Sequence, residues 1–232
     1  MDFRNAKELL KVCQEQGLSI SAVMLQRELT EGEQDPKETD RKMDRVLEIM
    51  KSAASTPIHT PVKSMGGLIG GEAKKISDHK DTGKGLCGDL LERAVIYAMA
   101  TLETNASMGV IVASPTAGSA GIVPGLLLAL QETYDLSDEQ IKQGLYNASA
   151  IGYLAMRNAT VAGAVGGCQA EVGIASAMAA SATVELMGGS PEQSLAAAST
   201  VLMNMLGLVC DPVGGLVEYL SLIHISEPTR RS

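Results

Sequence analysis

Residues 168–189, CQAEVGIASAMAASATVELMGG, decide the fold class of this chain. Two glutamates carry the only charges of the segment, alanine and other small residues fill it, and a Gly-Gly pair ends it. Alanine has the highest helix propensity, and its small side chain lets neighbouring backbones approach closely. The segment therefore predicts a buried helix that packs tightly against other helices.

Helix-start signals occur on both sides of this segment. The stretches SPEQ (190–193), SDEQ (137–140) and DPKE (35–38) each place a capping residue three positions before Glu or Gln. Apolar residues at helical spacing continue through most of the chain, and only Val110–Val112 resembles a strand. We therefore predict an all-α protein with a loop region over 56–86 and helices over 3–17, 19–29, 35–54, 87–105, 121–134, 137–158, 168–187 and 190–206.

The composition is that of a globular protein without a nucleic-acid surface. Hydrophobic residues make up 45% of the 232 residues, which is enough to form a core. The net charge is −8, and no basic cluster is present to displace the counterions of a nucleic acid. Residues 1–103 carry 32 charged side chains and residues 104–210 carry 9, so the second segment is expected to form the interior.

Two uncharged segments, 104–131 and 193–210, are long enough to cross a membrane. Prolines, glycines and hydroxyl side chains interrupt the first, polar side chains dilute the second, and no basic flank marks a cytoplasmic end. The first ten residues, MDFRNAKELL, carry charges where a secretion signal needs an apolar run. We expect no membrane insertion and a cytoplasmic location.

Four glycine-rich loops interrupt the predicted helices. We call them the first glycine loop (SMGGLIGGEAKK, 64–75), the second (SPTAGSAGIVPG, 114–125), the third (VAGAVGGCQAEVG, 161–173) and the fourth (CDPVGG, 210–215). Glycines let backbone N–H groups approach a ligand, and a helix N-terminus favours an anion. The loops predict a shared small-molecule site, with tight helix connections as the structural alternative.

Two of the four cysteines, Cys168 and Cys210, lie in glycine loops, whereas Cys13 and Cys87 do not. Spacing excludes a C-x-x-C motif, and a chain without an export signal is not expected to form disulfides. Thiolates at helix ends can ligate a soft metal or an iron–sulfur cluster, although two ligands alone do not hold a cluster. The alternative is a nucleophilic Cys168, for which no motif supplies a histidine base.

Residues 220–230, LSLIHISEPTR, break the composition of the preceding sequence. The peptide resembles the in-frame translation of a sequencing adapter. We therefore expect one native domain over residues 1–219 and a non-native tail over residues 220–232.

Three motifs in order, the second glycine loop, GGCQAEVG (166–173) and CDPVGGLVEY (210–219), resemble the catalytic α chain of the iron–sulfur-dependent L-serine dehydratases. The resemblance implies a 4Fe-4S cluster on three cysteines, two of which correspond to Cys168 and Cys210. The third would follow in a Val-Glu-x-Pro-Cys run, but Leu220 and Ser221 stand at those two positions here.

The activity that this resemblance implies is β-elimination of L-serine to pyruvate and ammonia, with one open iron of the cluster acting as a Lewis acid. It also implies a partner β chain. A base must remove the Cα proton, and Lys84 is the candidate if burial lowers its pKa, with Lys75 as a second. Groups expected to bind the substrate, above all its carboxylate, are Gly70, Gly71, Lys75, Ser114, Thr116, Gly118 and Ser119. The alternative function is a helical assembly or membrane subunit with passive cysteines.

Overall fold

The computed structural model describes residues 2–32, 35–205 and 207. These residues form nine α-helices, one short 3₁₀ helix and no strand, so the predicted all-α class is confirmed and the strand-like Val110–Val112 is not a strand. No described helix combines the length and apolar character needed to cross a membrane. The helices are α1 (Ala6–Gln16), α2 (Ile20–Glu31), α3 (Pro36–His59), α4 (Glu72–Asp81), α5 (Asp89–Ala106), α6 (Ile122–Tyr134), α7 (Asp138–Asn158), α8 (Gly163–Leu186) and α9 (Pro191–Met205), with the 3₁₀ helix at Ala117–Ser119.

The alanine-rich helix α8 is buried, as its sequence predicts. It packs between α7 and α9 and contacts α6 on a further side. Helix α7 approaches it closely, because Gly144 and Gly152 of α7 face the side chains of Leu186 and Met178. Small side chains on α8 thus let three helices surround it, and they are buried at Ala175, Ala177, Ala179 and Ala182.

Glycines of the second loop set the distance between α5 and α6. A Cβ atom on Gly121 would lie 2.5 Å from the carbonyl oxygen of Ala98 in α5. A Cβ atom on Gly125, one turn later, would lie 2.9 Å from the carbonyl oxygen of Ala94. These two glycines therefore allow close helix packing. For this part of the second glycine loop, the alternative of a tight helix connection is confirmed.

Helix α3 is longer than predicted and continues through Pro57 to His59. Proline has no N–H group, so the carbonyl of Ala53 four residues earlier loses its helical donor. The hydroxyl of Thr104 in α5 donates to that carbonyl instead, at 2.8 Å. A partner 51 residues away in sequence therefore compensates for the proline, which is why local sequence signals do not reveal the true helix end.

Helix α4 lies inside the region that the sequence predicts to be a loop, so that prediction is wrong for residues 72–81. Among the residues of α4, only Ala73 is buried, so the helix has no apolar stripe to give a periodic signal. It forms because Glu103 of α5 accepts a hydrogen bond from the Ala73 backbone N–H at its first turn. Stabilisation again comes from a distant residue.

A buried ammonium group joins α3 to α7. The Lys142 side chain is 5% exposed, and its Nζ lies 2.7 Å from Asp40, 2.9 Å from Asp44 and 2.7 Å from Glu139. Burial opposes the charged form, but hydrogen bonds to these carboxylates raise the pKa of Lys142 above its ordinary value. The three carboxylates are close enough together to hold a metal ion, yet a cation of the chain itself already occupies them.

We expect Gly121→Ala to lower the free energy of unfolding by about 1–3 kcal/mol, because the added methyl group must displace the α5 backbone. Urea unfolding followed by circular dichroism measures the change. Gly173→Ala is the matched control, since its Cβ atom would lie 3.5 Å from the Met205 Cβ atom, an ordinary contact. A helix-interior change from glycine to alanine stabilises by up to about 1 kcal/mol. Equal losses in both variants would contradict the close α5–α6 packing.

Candidate functional site

The C-terminal end of α5 anchors two glycine loops side by side. Glu103 accepts the Ala73 N–H of the first loop at 2.9 Å. Two residues later, the Asn105 side chain donates from Nδ2 to the Ala117 carbonyl of the second loop at 2.8 Å. Both anchoring side chains are buried. The two loops that the sequence assigns to one site are thus fixed to the same turn of one helix.

The N-terminus of α4 holds a carboxyl group that belongs to the chain itself. Burial raises the pKa of Glu103 above its ordinary value, although backbone N–H groups at the start of α4 oppose the rise. The Oε2 atom of Glu103 is buried without a hydrogen-bond partner among the described residues. Next to it, Glu72 accepts the Gly70 N–H at 2.6 Å. Burial raises the pKa of Glu72, but backbone hydrogen bonds outweigh that effect and hold it below its ordinary value.

This arrangement bears on the predicted substrate groups of the first loop. Gly70 and Gly71 both have positive φ angles, of 143° and 88°, and they turn the chain into α4. Lys75 is 76% exposed at its side chain, and its Nζ lies 3.8 Å from Glu72. The helix end where these residues are predicted to bind the substrate carboxylate is therefore in contact with Glu103.

A buried carboxylate joins the second and third glycine loops. The Thr116 hydroxyl donates to Oε1 of Glu171 at 2.6 Å, and Glu171 is 1% exposed. The Ser119 hydroxyl lies 3.3 Å from the Thr116 hydroxyl and 3.3 Å from the carbonyl of Ser114, to which it donates. A Cβ atom on Gly163 would lie 2.3 Å from the carboxylate, so glycine is needed there to make room for it.

Cys168 begins the regular part of α8. Gly167 has a φ of 75° and a ψ of 174°, which interrupts the helix, and Cys168 follows in the first turn of the helical run. The thiol residue is half-buried, and the space where a Gly167 side chain would stand is open. The N–H groups and partial positive charge of a helix N-terminus favour a thiolate over a thiol.

The chain that leaves α9 returns to this same turn. The backbone N–H of Gly207 donates to Oε1 of Gln169 at 2.9 Å, and Gln169 is the residue after Cys168. Cys210 follows three positions after Gly207 but lies outside the described residues, as do the fourth glycine loop and the predicted tail. The hydrogen bond therefore joins Gly207 to the residue next to the first predicted ligand.

The predicted site residues therefore fall into two sets, one in the second glycine loop and the other in and after the first glycine loop. Thr116, Gly118 and Ser119 lie together with Ser114, whose buried hydroxyl has no hydrogen-bond partner among the described residues. Lys84 is exposed on the segment between α4 and α5, and like Lys75 it forms no described hydrogen bond or ion pair with the second or third loop.

The cysteines outside the glycine loops lie elsewhere. Cys87 is exposed, and Cys13 is buried in a separate apolar cluster. Burial, together with the nearby carboxylates of Glu185 and Glu192, raises the pKa of Cys13 to about 11. Its thiol is thereby kept protonated and unreactive.

A cavity of about 390 Å³ borders Ser114 and Pro115. Apolar side chains form most of its wall, including Met43, Met50 and Met178. Thr116, Cys168 and Glu171 are not among the residues that line it. The cavity is therefore separate from the thiol, hydroxyl and carboxylate groups described above.

Sequence reasoning missed Glu171 and Glu103. A signal for the first is present, because Glu171 and Glu185 are the only charges in a segment predicted to be buried. A charged residue in a buried helix needs a partner, and such sites are often functional. Glu103 gives a comparable signal, since it is the only charged residue between Arg93 and Glu132.

The described helices form an all-α protein with an enzyme-like site. At this site the turn of α8 that carries the Cys168 thiol and the buried Glu171 carboxylate meets the two hydroxyls of the second glycine loop. Residues 15–220 match the family model described as the serine dehydratase alpha chain. The chain belongs to this family. It is 48% identical to the "Probable L-serine dehydratase, alpha chain" of Bacillus subtilis (strain 168), over 93% of this chain and 72% of that protein.

Other relatives extend the comparison. The chain is 44% identical to the "L-serine dehydratase, alpha chain" of Peptoniphilus asaccharolyticus, over 94% of this chain and 74% of that protein. It is 35% identical to "L-serine dehydratase TdcG" of Escherichia coli (strain K12), again over 94% of this chain but only 48% of that longer protein.

We expect Glu103→Gln to change how the stability of the protein depends on pH. Because its pKa is raised in the folded state, Glu103 contributes stability below its ordinary pKa, and this contribution is lost as the pH rises through the folded value. Glutamine resembles the protonated acid and has no proton to lose. The free energy of unfolding of the wild type relative to Glu103→Gln should therefore fall as the pH rises above the ordinary pKa of a glutamic acid.

Urea unfolding at several pH values tests this expectation. Glu48→Gln is the matched control, because the Glu48 side chain is 67% exposed and pairs only with Arg45 one turn away. A difference between wild type and Glu103→Gln that stays constant with pH would contradict a raised pKa of this buried carboxyl group.

Proposed function

We propose that this chain is the catalytic part of an L-serine dehydratase, which eliminates water from L-serine and releases pyruvate and ammonia. Family membership and the names of its relatives support this activity. The single observation that carries the proposal is the Gln169–Gly207 hydrogen bond, because it joins Gly207, three positions before Cys210 in sequence, to the residue that follows Cys168.

Cys168 and Cys210 are the proposed ligands of a 4Fe-4S cluster. The first fits that role, since it is half-buried at a helix N-terminus beside the open space at Gly167. The proposed second ligand, Cys210, follows Gly207 in sequence, and the third cysteine expected from the resemblance would stand where this sequence has Ser221. When bound, such a cluster supplies a Lewis-acidic iron that makes the hydroxyl of serine a better leaving group.

The second glycine loop is the proposed binding element for the substrate. Ser119 and Gly118 lie in the 3₁₀ turn that Asn105 fixes, so the loop needs little reorganisation when a ligand arrives. The Ser119 hydroxyl makes only long hydrogen bonds, of 3.3 Å, and can turn its hydrogen toward the substrate carboxylate. A buried position also excludes water, which strengthens hydrogen bonds to a charged group.

Elimination also requires removal of the Cα proton of serine. The product of proton removal and water loss is an enamine, which tautomerises and then hydrolyses to pyruvate and ammonia. Lys84 stays the proposed base from sequence reasoning, and its exposed position means that the partner chain would have to cover it and bring the substrate within hydrogen-bond reach.

A partner subunit is also part of the proposal. The two relatives named as alpha chains support a β chain that completes the assembly. In the longer Escherichia coli relative, the matched part is about half of one protein, which fits a fusion of the two parts.

We expect Cys168→Ala to lose the cluster and the activity together, whereas Cys13→Ala keeps both. The assay uses the enzyme with its native C-terminus and its β chain, reconstituted anaerobically with iron and sulfide. Iron and sulfide content, visible absorbance and pyruvate formation are measured on both variants. Equal iron content in the two variants would remove Cys168 from the ligand set.

We expect Ser119→Ala to raise the KM for L-serine without changing the iron content. Loss of one hydrogen bond to a charged group corresponds to about 1.5–3 kcal/mol, or roughly 10–150-fold in affinity. Ser199→Ala is the control, because this exposed serine bonds only to its own helix. A fall in iron content with an unchanged KM would show that Ser119 supports the cluster and does not bind the substrate.

A further inference from the structure

The direction of one hydrogen bond determines what Thr116 can offer to a ligand. A carboxylate can only accept, so at 2.6 Å from Glu171 the Thr116 hydroxyl must be the donor. A hydroxyl has one hydrogen and two lone pairs, and this contact uses the hydrogen. At most one lone pair is taken by Ser119, at 3.3 Å. Thr116 therefore presents an acceptor, which suits a hydrogen-bond donor and not an anion.

The charge behind Thr116 favours the same kind of ligand. Glu171 is 1% exposed, and among the described residues no lysine, arginine or histidine forms an ion pair with it. The negative charge of Glu171 is stabilised by the hydrogen bond from Thr116 and by the N-terminal turn of the helical run that begins at Cys168. The negative charge polarises the hydroxyl, so the outer lone pair of Thr116 becomes a better acceptor.

We propose that Thr116, polarised by Glu171, binds the α-ammonium group of the amino-acid substrate. This inference rests on the proposed function and deepens it, because it assigns the two charged ends of serine to different parts of one loop. The ammonium group meets Thr116, which is half-buried. The carboxylate is left to Ser119 and the backbone N–H groups of the 3₁₀ turn three residues later. Glu171 acts through Thr116 and is a positioning residue.

Recognition of the ammonium group would also orient the substrate. Glu171 lies three residues after Cys168 on α8, so the bound amino group would be held close to the turn that carries the proposed cluster ligand. Simple carboxylic acids have no donor at Cα and would lose this contact, whereas 2-hydroxy acids would keep only a weaker hydrogen bond from a neutral hydroxyl. The pair thus predicts a preference for amino acids over 2-hydroxy acids of the same size.

A comparison of two small ligands tests the inference without relying on turnover. L-alanine carries both the carboxylate and the ammonium group of serine, whereas propionate carries the carboxylate alone. Their dissociation constants are measured by calorimetry on the reconstituted enzyme with its β chain, for wild type, Glu171→Gln, Thr116→Val and Thr116→Ser. Iron content and melting temperature verify that each variant is assembled.

The expected result is a selective loss. The wild type binds L-alanine more tightly than propionate. Glu171→Gln and Thr116→Val weaken L-alanine binding about ten-fold and leave propionate within about two-fold, whereas Thr116→Ser, which keeps the hydroxyl, behaves like the wild type. Should one of the first two variants fail to assemble, the other decides the question, with Thr116→Ser as its control.

Three outcomes would overturn the inference. Equal weakening of both ligands would show that the pair only holds the loop in place. Unchanged L-alanine binding in the variants, or equal affinity of the wild type for the two ligands, would show that no ammonium contact exists. Failure of the proposed function is a separate result, namely a wild-type enzyme that binds L-alanine selectively but forms no pyruvate from L-serine.

Discussion

The buried contact between the Thr116 hydroxyl and the Glu171 carboxylate is the interaction on which the candidate site depends. An ionised carboxylate inside a protein is costly unless it is hydrogen-bonded. Here the carboxylate is stabilised by the hydroxyl of Thr116, 55 residues earlier in sequence, and by the N-terminal turn of the helical run that begins at Cys168. Because both partners belong to glycine loops, satisfying this one group fixes the second loop against the turn that carries Cys168. The glycine at position 163 follows from the same constraint, since any side chain there would overlap the carboxylate.

Glycines in this protein have two different roles. Some let two helices pack closely, and others turn the chain at the start of a helical run. Gly121 and Gly125 let α6 touch the backbone of α5, which places the α5 C-terminus where it anchors two loops. Gly71 and Gly167 have positive φ angles and turn the chain at the start of a helical run. At Gly71 that helix start is filled by Glu103 of the chain itself. At Gly167 the helical run that follows carries a half-buried thiol, so the second position is the better candidate for binding an external group.

Much of the fold follows from local sequence signals. The capping boxes at Ser137 and Asp35 begin helices at the predicted residues, and the alanine-rich segment is buried as expected. The errors have one cause, which is stabilisation by residues far away in sequence. Helix α4 depends on Glu103, and the end of α3 depends on Thr104. At the site, glycine context predicts the thiol and hydroxyl residues, whereas Glu171 shows in the sequence only as a charge in a segment predicted to be buried, and its partner Thr116, 55 residues distant, is revealed by the structure.

A double-mutant cycle between Thr116→Val and Glu171→Met measures this central contact most directly. Both substitutions nearly conserve the volume of the side chain. Each single variant removes one partner of the hydrogen bond, and the double variant removes both partners. The account predicts that the unfolding free energies are not additive, with a coupling of about 1 kcal/mol or more, since each single change leaves a buried polar group without its partner. Additivity within about 0.3 kcal/mol would contradict it, because the second and third glycine loops would then be held together by other contacts.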